Sequence, residues 1–468
     1  MVVKKLTIRN NTDTPINLKR LERFRAPGQS IGTDHITSLA RNFTRVLTNQ
    51  TRSEAPIATL SQADKPFDEQ AELDIHIEAF TTKETDLDFF KESEKERLRL
   101  VFGAEGEEHT IQVPIPTSET ATMKTVDNPK HRFTGVWVKP ESFLAIYSSA
   151  NLHAWMRELR DDTLLSSLSI PGTHNSPTCH VAPPSVRCQA VSPREQLRNG
   201  VRFFDIRVQP QYPQELKEDL ILVHSVFPVS LTGTKYFRDL MNEVNDFLDK
   251  NPSETLIISL KREGPGDAKD EQLAQILHNH YAKDDNQRWW TRPKIPTLGE
   301  ARGKVILLRR FNLSEDLKTK HDGHGWGLDG SAWADNTANA NCPSGQLCIQ
   351  DFYEVQEPTN IEQKIQYVKD HIDRASKSRY PFGDHPGPHP FFINFLSASN
   401  FWKTNTWPEK IAAKVNPAVV NYICRRHEND DGDSSTGILV TDWVGLDGDW
   451  DLVRCIVGMN AKLRLRQN

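Results

Sequence analysis

The segment Leu168–Ser176, with the sequence LSIPGTHNS, is a short apolar run that ends in polar residues, a histidine among them. Two runs that follow share this plan: Val201–Arg207 (VRFFDIR) ends in an arginine, and Leu220–His224 (LILVH) ends in a second histidine. A histidine can accept or donate a proton near neutral pH, and a guanidinium binds phosphate oxygens through charge-assisted hydrogen bonds. If these run ends meet in space, they supply a base, an acid and an anion-binding group suited to in-line attack on a phosphodiester.

Further apolar runs of strand length follow, most of them ending in polar or charged residues: Thr255–Lys261, Val305–Arg310, Leu347–Tyr353, Phe391–Leu396 and Ile438–Asp442. Runs that are apolar throughout are typical of strands buried on both faces, as in a parallel sheet. The spacing of apolar residues predicts helices between them, at Lys235–Leu248, Asp270–Tyr281, Ile361–Arg374 and Pro408–Arg425. We therefore predict an α/β fold, a (β/α)8 barrel of TIM type, whose functional groups gather at the carboxyl ends of the strands.

Residues 1–145 have a different pattern from the rest of the chain. Short runs alternate apolar and polar residues, as in Asp74–Glu78 (DIHIE), and polar turns separate them. The pattern predicts a small antiparallel β-sandwich domain at residues 1–145, with Thr117–His131 as a loop and with no indication of its role. Residues 146–468 are predicted to form the barrel domain.

The charge and hydropathy of this 468-residue chain restrict the kinds of partner and the locations that we expect for it. The formal net charge is −5 and no basic stripe alternates with aromatic residues, so we expect no nucleic-acid partner. No apolar run approaches the roughly 18–20 residues of a membrane span, and the first residues, MVVKKLTIR, lack a signal-peptide core. We expect a cytoplasmic or peripheral membrane location, with secretion by a non-standard route left open. The six cysteines lack zinc-binding spacing and are expected to be reduced, although their disulfide state stays open.

Several longer motifs occur in order along the predicted barrel. They are Ser169–Ser176, Gly200–Arg207, Val223-His224, Phe247–Thr255 (FLDKNPSET), Ala301–Leu308 (ARGKVILL) and Ile393–Phe395 (INF). Together they resemble the bacterial-type phosphatidylinositol-specific phospholipases C, and the likeness runs from about Trp155 to Met459. It implies the barrel of the phospholipase C-like phosphodiesterases. Residues 1–145 lie outside it, so the two-domain arrangement is more similar to fungal relatives than to the single-domain bacterial enzymes.

The resemblance implies a reaction and four catalytic roles. In that family the inositol 2-hydroxyl attacks the neighbouring phosphorus, which releases diacylglycerol and forms inositol 1,2-cyclic phosphate. Carried over by motif, His174 would be the general base, with Asp442 holding its imidazole, and His224 would be the general acid. Arg207 would bind a phosphate oxygen and stabilise the charge that builds in the transition state.

Other positions match residues that contact the headgroup. Lys261, Arg310 and Asp351 correspond to groups that hydrogen-bond inositol hydroxyls, and Tyr353 to an aromatic residue that packs on the sugar ring. The resemblance implies phosphatidylinositol or a glycosyl-phosphatidylinositol as substrate at a membrane surface, and no cofactor. An ion-pair ring lining the barrel mouth is the structural alternative for the three charged residues. Which lipid is the physiological substrate, and the oligomeric state, are not indicated.

No bound metal is expected at this site. The calcium-dependent relatives use an amide and three carboxylates, and Asn175 and Asp205 could serve as two such ligands. The other two positions correspond to Arg207 and Lys261, whose fixed positive charges would repel a divalent cation. We therefore predict metal-independent catalysis.

Asn175 is a departure from the bacterial pattern, in which an aspartate follows the first catalytic histidine and pairs with the second. An amide can still orient His224 through a hydrogen bond, but it cannot stabilise an imidazolium electrostatically. The substitution predicts a lower pKa for His224, a slower enzyme and an acid-shifted pH optimum.

Two other functions stay open, a catalytically impaired protein that binds inositol lipids and a related phosphodiesterase for another headgroup. Asn175 favours the first, whereas the retained acid–base residues and the inositol-matching positions argue against both. Phe401, Trp402 and Trp407 follow the seventh predicted strand, where an aromatic cluster could enter a lipid interface. Packing of Trp407 against the helix that begins at Pro408 is the alternative.

Overall fold

The computed structural model describes residues 5–25, 60, 64–89, 96–115, 119–138, 142–149, 151–283, 287–357, 359–383, 387, 389–426 and 432–467. The chain divides into two compact units, Met1–Ile146 and Tyr147–Asn468. No helix in these described ranges has the length and apolar character needed to cross a membrane.

The first unit is built from β-strands: β1 Lys5–Asn11, β2 Ile16–Phe24, β3 Asp68–Gln70, β4 Ile75–Ile77, β5 Thr82–Asp88, β6 Arg97–Ala104, β7 Glu107–Val113, β8 Thr120–Thr122, β9 Thr134–Val138 and β10 Phe143–Tyr147. One sheet has the order β5-β1-β10-β9-β8, and the other has the order β3-β2-β6-β7 with β4 also paired to β2. Apolar side chains of both sheets, such as Ile8 and Leu18, share one buried cluster. The predicted antiparallel sandwich is present, although the loop predicted at Thr117–His131 contains β8; residues 117 and 118 lie outside the described ranges.

The second unit contains the strands β11 Ile170–Thr173, β12 Phe203–Pro210, β13 Leu220–His224, β14 Phe227–Pro228, β15 Leu256–Arg262, β16 Trp289–Trp290, β17 Val305–Arg310, β18 Leu328–Asp329, β19 Ala340–Asn341, β20 Leu347–Gln350, β21 Phe391–Phe395 and β22 Ile438–Thr441. They form one curled, mostly parallel sheet in the order β16-β17-β15-β12-β11-β22-β21-β20-β19. The predicted α/β fold with a parallel barrel sheet is confirmed.

The helices of this unit are α1 Pro193–Arg198, α2 Phe237–Lys250, α3 Asp270–His280, α4 Leu298–Ala301, α5 Glu315–Lys318, α6 Thr359–Lys377, α7 Pro408–Arg425, α8 Asp451–Gly458 and α9 Ala461–Gln467, with a further helical turn at Lys320–Gly323. Short 3-10 turns lie at Trp155–Glu158, Leu165–Ser167, Thr404–Thr406 and Leu446–Gly448. The four predicted helices correspond to α2, α3, α6 and α7. In α2 the buried residues recur at helical spacing, which gives the helix one apolar face for the sheet.

Both faces of the curled sheet are buried, which explains why its strands are apolar without alternation. Phe203 and Ile257 lie in the cluster that fills the concave side. Their chain neighbours Phe204 and Ile258 lie in the cluster that packs against α2 and α3. Gly172 allows β11 to approach β12 closely, because a Cβ at that position would lie 3.0 Å from the Phe203 ring.

Two details differ from the predicted barrel. Leu220–His224 was expected to be a parallel strand, but β13 pairs antiparallel with β12 and forms a hairpin with β14. The sheet is also not closed: among the described residues, no backbone pairing joins β18, at one edge, to β19 or β20 at the other. We call this gap the seam.

The register of the parallel strands determines which side chains meet at their carboxyl ends. Thr173 of β11 is paired with Thr441 of β22, so the next residues, His174 and Asp442, emerge side by side. Arg207 of β12 is paired with Lys261 of β15, which is in turn paired with Arg310 of β17. Three cationic residues therefore form one row across adjacent strands.

Candidate active site

His174 and Asp442 are in direct contact at the carboxyl ends of β11 and β22. The Nδ1 atom of His174 lies 2.9 Å from Oδ1 of Asp442, whose side chain is 2% exposed. The ring is therefore held so that Nε2 is the nitrogen left open for a proton, the geometry that a base needs. The Gln189 side chain donates to the backbone oxygens of both His174 and Thr441, at 2.7 and 2.9 Å, and so links the two strand ends.

His224 faces His174 from the end of β13. The two rings are edge to face, with centroids 5.8 Å apart. Nδ1 of His224 donates to the backbone oxygen of Val186 at 2.7 Å and lies 3.8 Å from Sγ of Cys188. The hairpin of β13 and β14 therefore brings the second histidine to the first, although β13 runs against the parallel strands.

Asn175 does not orient His224, contrary to the sequence prediction. Its side chain is fully buried, and neither Nδ2 nor Oδ1 has a hydrogen-bond partner among the described residues. Its backbone has a φ of +41°, in the left-handed region that asparagine tolerates, and its N–H donates to Asp205 at 3.3 Å. The Val186 carbonyl, rather than the amide, fixes the ring of His224.

The pKa values of both histidines are raised, and that of Cys188 is lowered. Burial alone would lower the pKa of His174, but Asp442 and then the Cys188 sulfur outweigh it and hold this pKa well above its usual value. Burial likewise opposes protonation of His224, and Cys188 again reverses the direction. For Cys188, burial is outweighed mainly by the His224 imidazolium. The pKa of His224 therefore lies above its ordinary value because of Cys188, whereas the predicted lowering relative to a protein with aspartate at position 175 stays a prediction.

Arg207 is enclosed by two carboxylates. Its Nε and Nη2 donate to Asp205 at 2.8–3.2 Å, and Nη1 donates to Glu263. Burial disfavours all three charges, but their mutual attraction prevails, so the pKa of Arg207 is raised and the pKa values of Asp205 and Glu263 are lowered. A guanidinium has five N–H donors. Two therefore stay available for an anion in front of the strand ends.

Arg310 and Asp351 lie together further along the row. The guanidinium of Arg310 stacks on Trp333, with the carbon 4.0 Å from the ring centroid, and Nη2 is 3.9 Å from Asp351. Its Nε and Nη1 have no hydrogen-bond partner among the described residues. Asp351 accepts a bond from Nε1 of Trp333 at 2.9 Å, and burial raises its pKa. These groups can bind vicinal hydroxyls as donor and acceptor.

Lys261 and Tyr353 complete the predicted set. The Lys261 amine is half-exposed and lies 3.1 Å from Glu263, so it shares this carboxylate with Arg207. The Tyr353 hydroxyl donates to Asp335 at 2.8 Å, and burial followed by that acidic partner raises its pKa. The structure thus brings the charged residues into one cluster, as either the headgroup pocket or the ion-pair ring requires.

Of the aromatic residues predicted at the rim, two are well exposed. Trp402 is 87% exposed and Phe401 is 42% exposed. Phe401 stacks on Phe227, which is paired with His224 in the hairpin, at a centroid distance of 5.5 Å. Trp407 instead donates to the Phe401 backbone oxygen at 3.1 Å and is the N-cap residue of α7, while its packing against that helix stays a prediction. We call Phe227, Phe401 and Trp402 the aromatic rim.

Sequence reasoning missed Cys188, Glu263 and Trp333. Glu263 had a signal, because it is two residues beyond Lys261 and so shares its face of an extended strand. Cys188 and Trp333 lie in loops after β11 and β18, where neither periodicity nor spacing indicates which atoms they will meet. Only the folded chain identifies them.

Part of the chain is similar in sequence to proteins that are already known. Residues 162–311 match the model of the family described as phosphatidylinositol-specific phospholipase C, X domain. The 1-phosphatidylinositol phosphodiesterase of Listeria monocytogenes serovar 1/2a is 28% identical over 298 residues, which cover 61% of this chain and 78% of that protein. The protein of the same name from Staphylococcus aureus (strain Newman) is 25% identical over 304 residues, covering 62% and 88%.

Solved structures are similar over the same share of the chain. A mutant of the phosphatidylinositol-specific phospholipase C from Staphylococcus aureus aligns with a TM-score of 0.53 at 23% identity, covering 66% of this chain and 97% of that one. A second structure, from work on the modulation of that enzyme's membrane binding, aligns with a TM-score of 0.52 at 22% identity and covers 66% of this chain and 98% of its own. These alignments show the fold.

Proposed function

We propose that this homologue of the bacterial-type phosphatidylinositol-specific phospholipases C cleaves phosphatidylinositol without a metal, giving diacylglycerol and inositol 1,2-cyclic phosphate. The observation that carries the proposal is the pair of facing histidines, one held by a buried carboxylate, beside a buried arginine. A protein that only bound the lipid would need the cations and not an acid–base pair.

The reaction divides into one proton transfer at each histidine. Nε2 of His174 takes the proton of the inositol 2-hydroxyl as its oxygen attacks phosphorus. The bond from phosphorus to the glycerol oxygen breaks, and protonated His224 gives its proton to that oxygen. Each such step typically contributes about 10² to 10⁴-fold to the rate. After release of the products His174 is left protonated and His224 neutral, so proton exchange with water resets the site.

Arg207 is proposed to bind the phosphate through the two N–H donors that its carboxylates leave free. Since Asp205 and Glu263 fix its plane, the guanidinium needs little reorganisation as charge builds on the phosphate oxygens. Asp205, the one carboxylate among the four calcium-ligand positions, already accepts three contacts from Arg207. This engagement supports catalysis without calcium, because a cation would have to displace the guanidinium.

The headgroup is proposed to lie over the row of Lys261, Arg310 and Asp351, with Tyr353 on its ring face. Nε and Nη1 of Arg310 donate no hydrogen bond among the described residues, although Nη1 lies 3.6 Å from Asp205, and these donors together with the raised pKa of Asp351 suit a polyol with adjacent hydroxyls. A related phosphodiesterase for another headgroup is the competing function. Cleavage of choline or glycerol lipids in preference to inositol lipids would contradict our assignment.

The test is phosphorus NMR of phosphatidylinositol vesicles incubated with the protein and excess chelator. We expect a cyclic inositol phosphate signal from wild type, and a loss of at least about 10²-fold in its rate of appearance for His174→Ala and for His224→Ala. His153→Ala is the matched control, because this exposed histidine accepts a bond from Arg202 through its backbone oxygen and its side chain makes no hydrogen bond within the described part of the chain. If wild type gives no cyclic inositol phosphate signal but still binds vesicles, the catalytically impaired lipid-binding protein is favoured. Activity that only calcium restores would contradict metal independence.

The aromatic rim is proposed to enter the lipid interface next to the active site. We expect Trp402→Ala to weaken vesicle binding about tenfold, since partial burial of such a ring contributes roughly 1.5 kcal/mol. Hydrolysis of a short-chain phosphatidylinositol below its micelle concentration should keep its wild-type rate. Sedimentation with vesicles and both hydrolysis assays measure this, with Leu465→Ala, an exposed apolar residue of α9, as the control. An equal loss on both substrates would contradict an interfacial role.

A further inference from the structure

Cys188 lies between the two histidines proposed as base and acid. A ring nitrogen of His174, a ring nitrogen of His224 and Sγ of Cys188 all lie within 4.8 Å of one another. The Sγ atom is 3.8 Å from Nδ1 of His224, and Cys188 is completely buried. No other group of three or more such ligands occurs among the described residues. From this arrangement we infer that the three side chains form a binding site for Zn²⁺, and that zinc acts here as a reversible inhibitor.

The donor set fits zinc in number and in kind. One thiolate and two imidazoles are the borderline-soft ligands that Zn²⁺ prefers, and a fourth position stays open to water. Ideal bonds of about 2.0–2.1 Å to nitrogen and 2.3 Å to sulfur would hold the three ligand atoms roughly 3.3–3.6 Å apart. Nδ1 of His224 lies 3.8 Å from Sγ, close to that value, and it would bind the ion by giving up its hydrogen bond to the Val186 oxygen. Since all three ligand atoms lie within 4.8 Å of one another, side-chain rotations complete the site.

The surroundings hold these ligands as a zinc site requires. Asp442 accepts from the far nitrogen of His174, which is the carboxylate–histidine pairing that orients metal ligands. The backbone N–H of Cys188 donates to Thr178, and its carbonyl oxygen accepts from Trp443 at 2.8 Å, so the loop is fixed on both sides of the sulfur. His174 and Cys188 are therefore positioned by the fold before an ion binds.

Zinc binding would remove both proton-transfer groups at once. The thiol of Cys188 loses its proton to solvent as the Zn–S bond forms, and the ion takes the lone pair that His174 needs as a base. The same ion prevents His224 from carrying a proton to the leaving oxygen. This inhibitory consequence rests on the proposed function, whereas binding of the metal does not. No sequence motif indicates this site, because fourteen and thirty-six positions separate the three ligands along the chain.

The test uses Co²⁺ as a spectroscopic substitute for zinc, with the full chain kept under a thiol-free reductant. We expect one tightly bound equivalent, with near-ultraviolet thiolate-to-cobalt absorption that Zn²⁺ abolishes by displacement. Cys188→Ser should lose the absorption, while Cys348→Ser, which removes a buried thiol elsewhere, should keep it. Asp442→Asn should bind zinc about 10 to 100-fold more weakly. No absorption in wild type, or absorption that survives in a folded Cys188→Ser, overturns the inference.

Activity provides the second measurement and needs no variant. Cleavage of phosphatidylinositol by wild type should fall in proportion to zinc occupancy and return when a chelator removes the ion. Wild-type activity that persists at saturating zinc overturns inhibition. A protein that shows the cobalt absorption but never cleaves the lipid overturns the proposed function and leaves the metal site standing.

Discussion

Replacing Arg207 with alanine is expected to lower kcat by about 10² to 10³-fold and the free energy of unfolding by about 3–5 kcal/mol. The fall in kcat is expected because the substitution removes the donors that would stabilise charge on the phosphate. The loss of stability arises because Asp205 and Glu263 keep their burial and lose the guanidinium that holds their pKa values low. Arg207→Lys should retain more of the stability than of the activity, since one ammonium cannot replace a planar fork of donors.

The pH dependence of stability separates this explanation from simple loss of packing. In wild type the lowered pKa values mean that the pair contributes stability above the unfolded carboxyl values of about 4, and that this stability is lost as pH falls. In Arg207→Ala, Asp205 keeps Arg310 at 3.6 Å and Glu263 keeps Lys261 at 3.1 Å. Without the guanidinium the pKa values of both carboxyls should rise relative to wild type, so the variant should lose less stability than wild type does as pH falls.

Urea unfolding at several pH values, with kinetics on phosphatidylinositol, tests both parts. Arg262→Ala is the matched control. Arg262 follows Lys261, the residue of β15 that is in register with Arg207, and its guanidinium donates to Asp270 at 2.8 Å. A variant with wild-type kcat, or with stability that falls with pH as in wild type, would contradict the role given to the two carboxylates.

Asp442→Asn is expected to have the second large effect, a loss of about 10² to 10⁴-fold in kcat. The carboxylate keeps Nδ1 of His174 protonated and turned away from the substrate, and an amide can present its own N–H there and reverse the tautomer. The charge of Asp442 also helps to raise the pKa of His174. Because the base must be unprotonated, the acidic limb of the rate profile follows that pKa.

Removing the charge should therefore move the acidic limb of kcat/KM to lower pH, while the limb set by His224 moves little. Cys188 still raises the pKa of His174 in the variant, so the shift is partial. A pH series on wild type and Asp442→Asn measures this, with Asp447→Asn, in the following loop, as control. A slower enzyme with an unmoved acidic limb would restrict Asp442 to positioning, and unchanged kcat would remove it from the mechanism.

Much of the fold and of the site can be predicted from the sequence for one physical reason. Parallel strands end at a common edge, so a polar residue placed directly after each apolar run must arrive there. His174, Arg207, Arg310 and Asp442 are placed at one edge by this rule alone, without knowledge of any contact. It holds because the register is pinned by strands that are apolar on both faces.

The sequence predictions that the structure contradicts also have physical causes. An apolar run does not show the direction of its strand. The predicted parallel direction of β13 is wrong because its connection to β12, residues 211–219, is shorter than a parallel crossover needs. The prediction that Asn175 orients His224 is wrong because a buried amide can lie against many neighbours, and its position in the sequence does not select among them. The effect of Cys188 on the two histidines depends on a loop contact that has no sequence signal.

The seam in the barrel has a mechanical consequence. Arg310 ends β17 at one side of it and Asp351 follows β20 at the other, so the pair at 3.9 Å spans edges that no backbone ladder joins. His174 and Asp442, by contrast, follow two strands in the middle of the continuous sheet. A headgroup bound between Arg310 and Asp351 would link the two edges of the seam, and this link would stiffen the barrel. The residues proposed to bind the sugar thus lie on either side of the seam, and the proposed proton-transfer groups follow strands that backbone pairing joins.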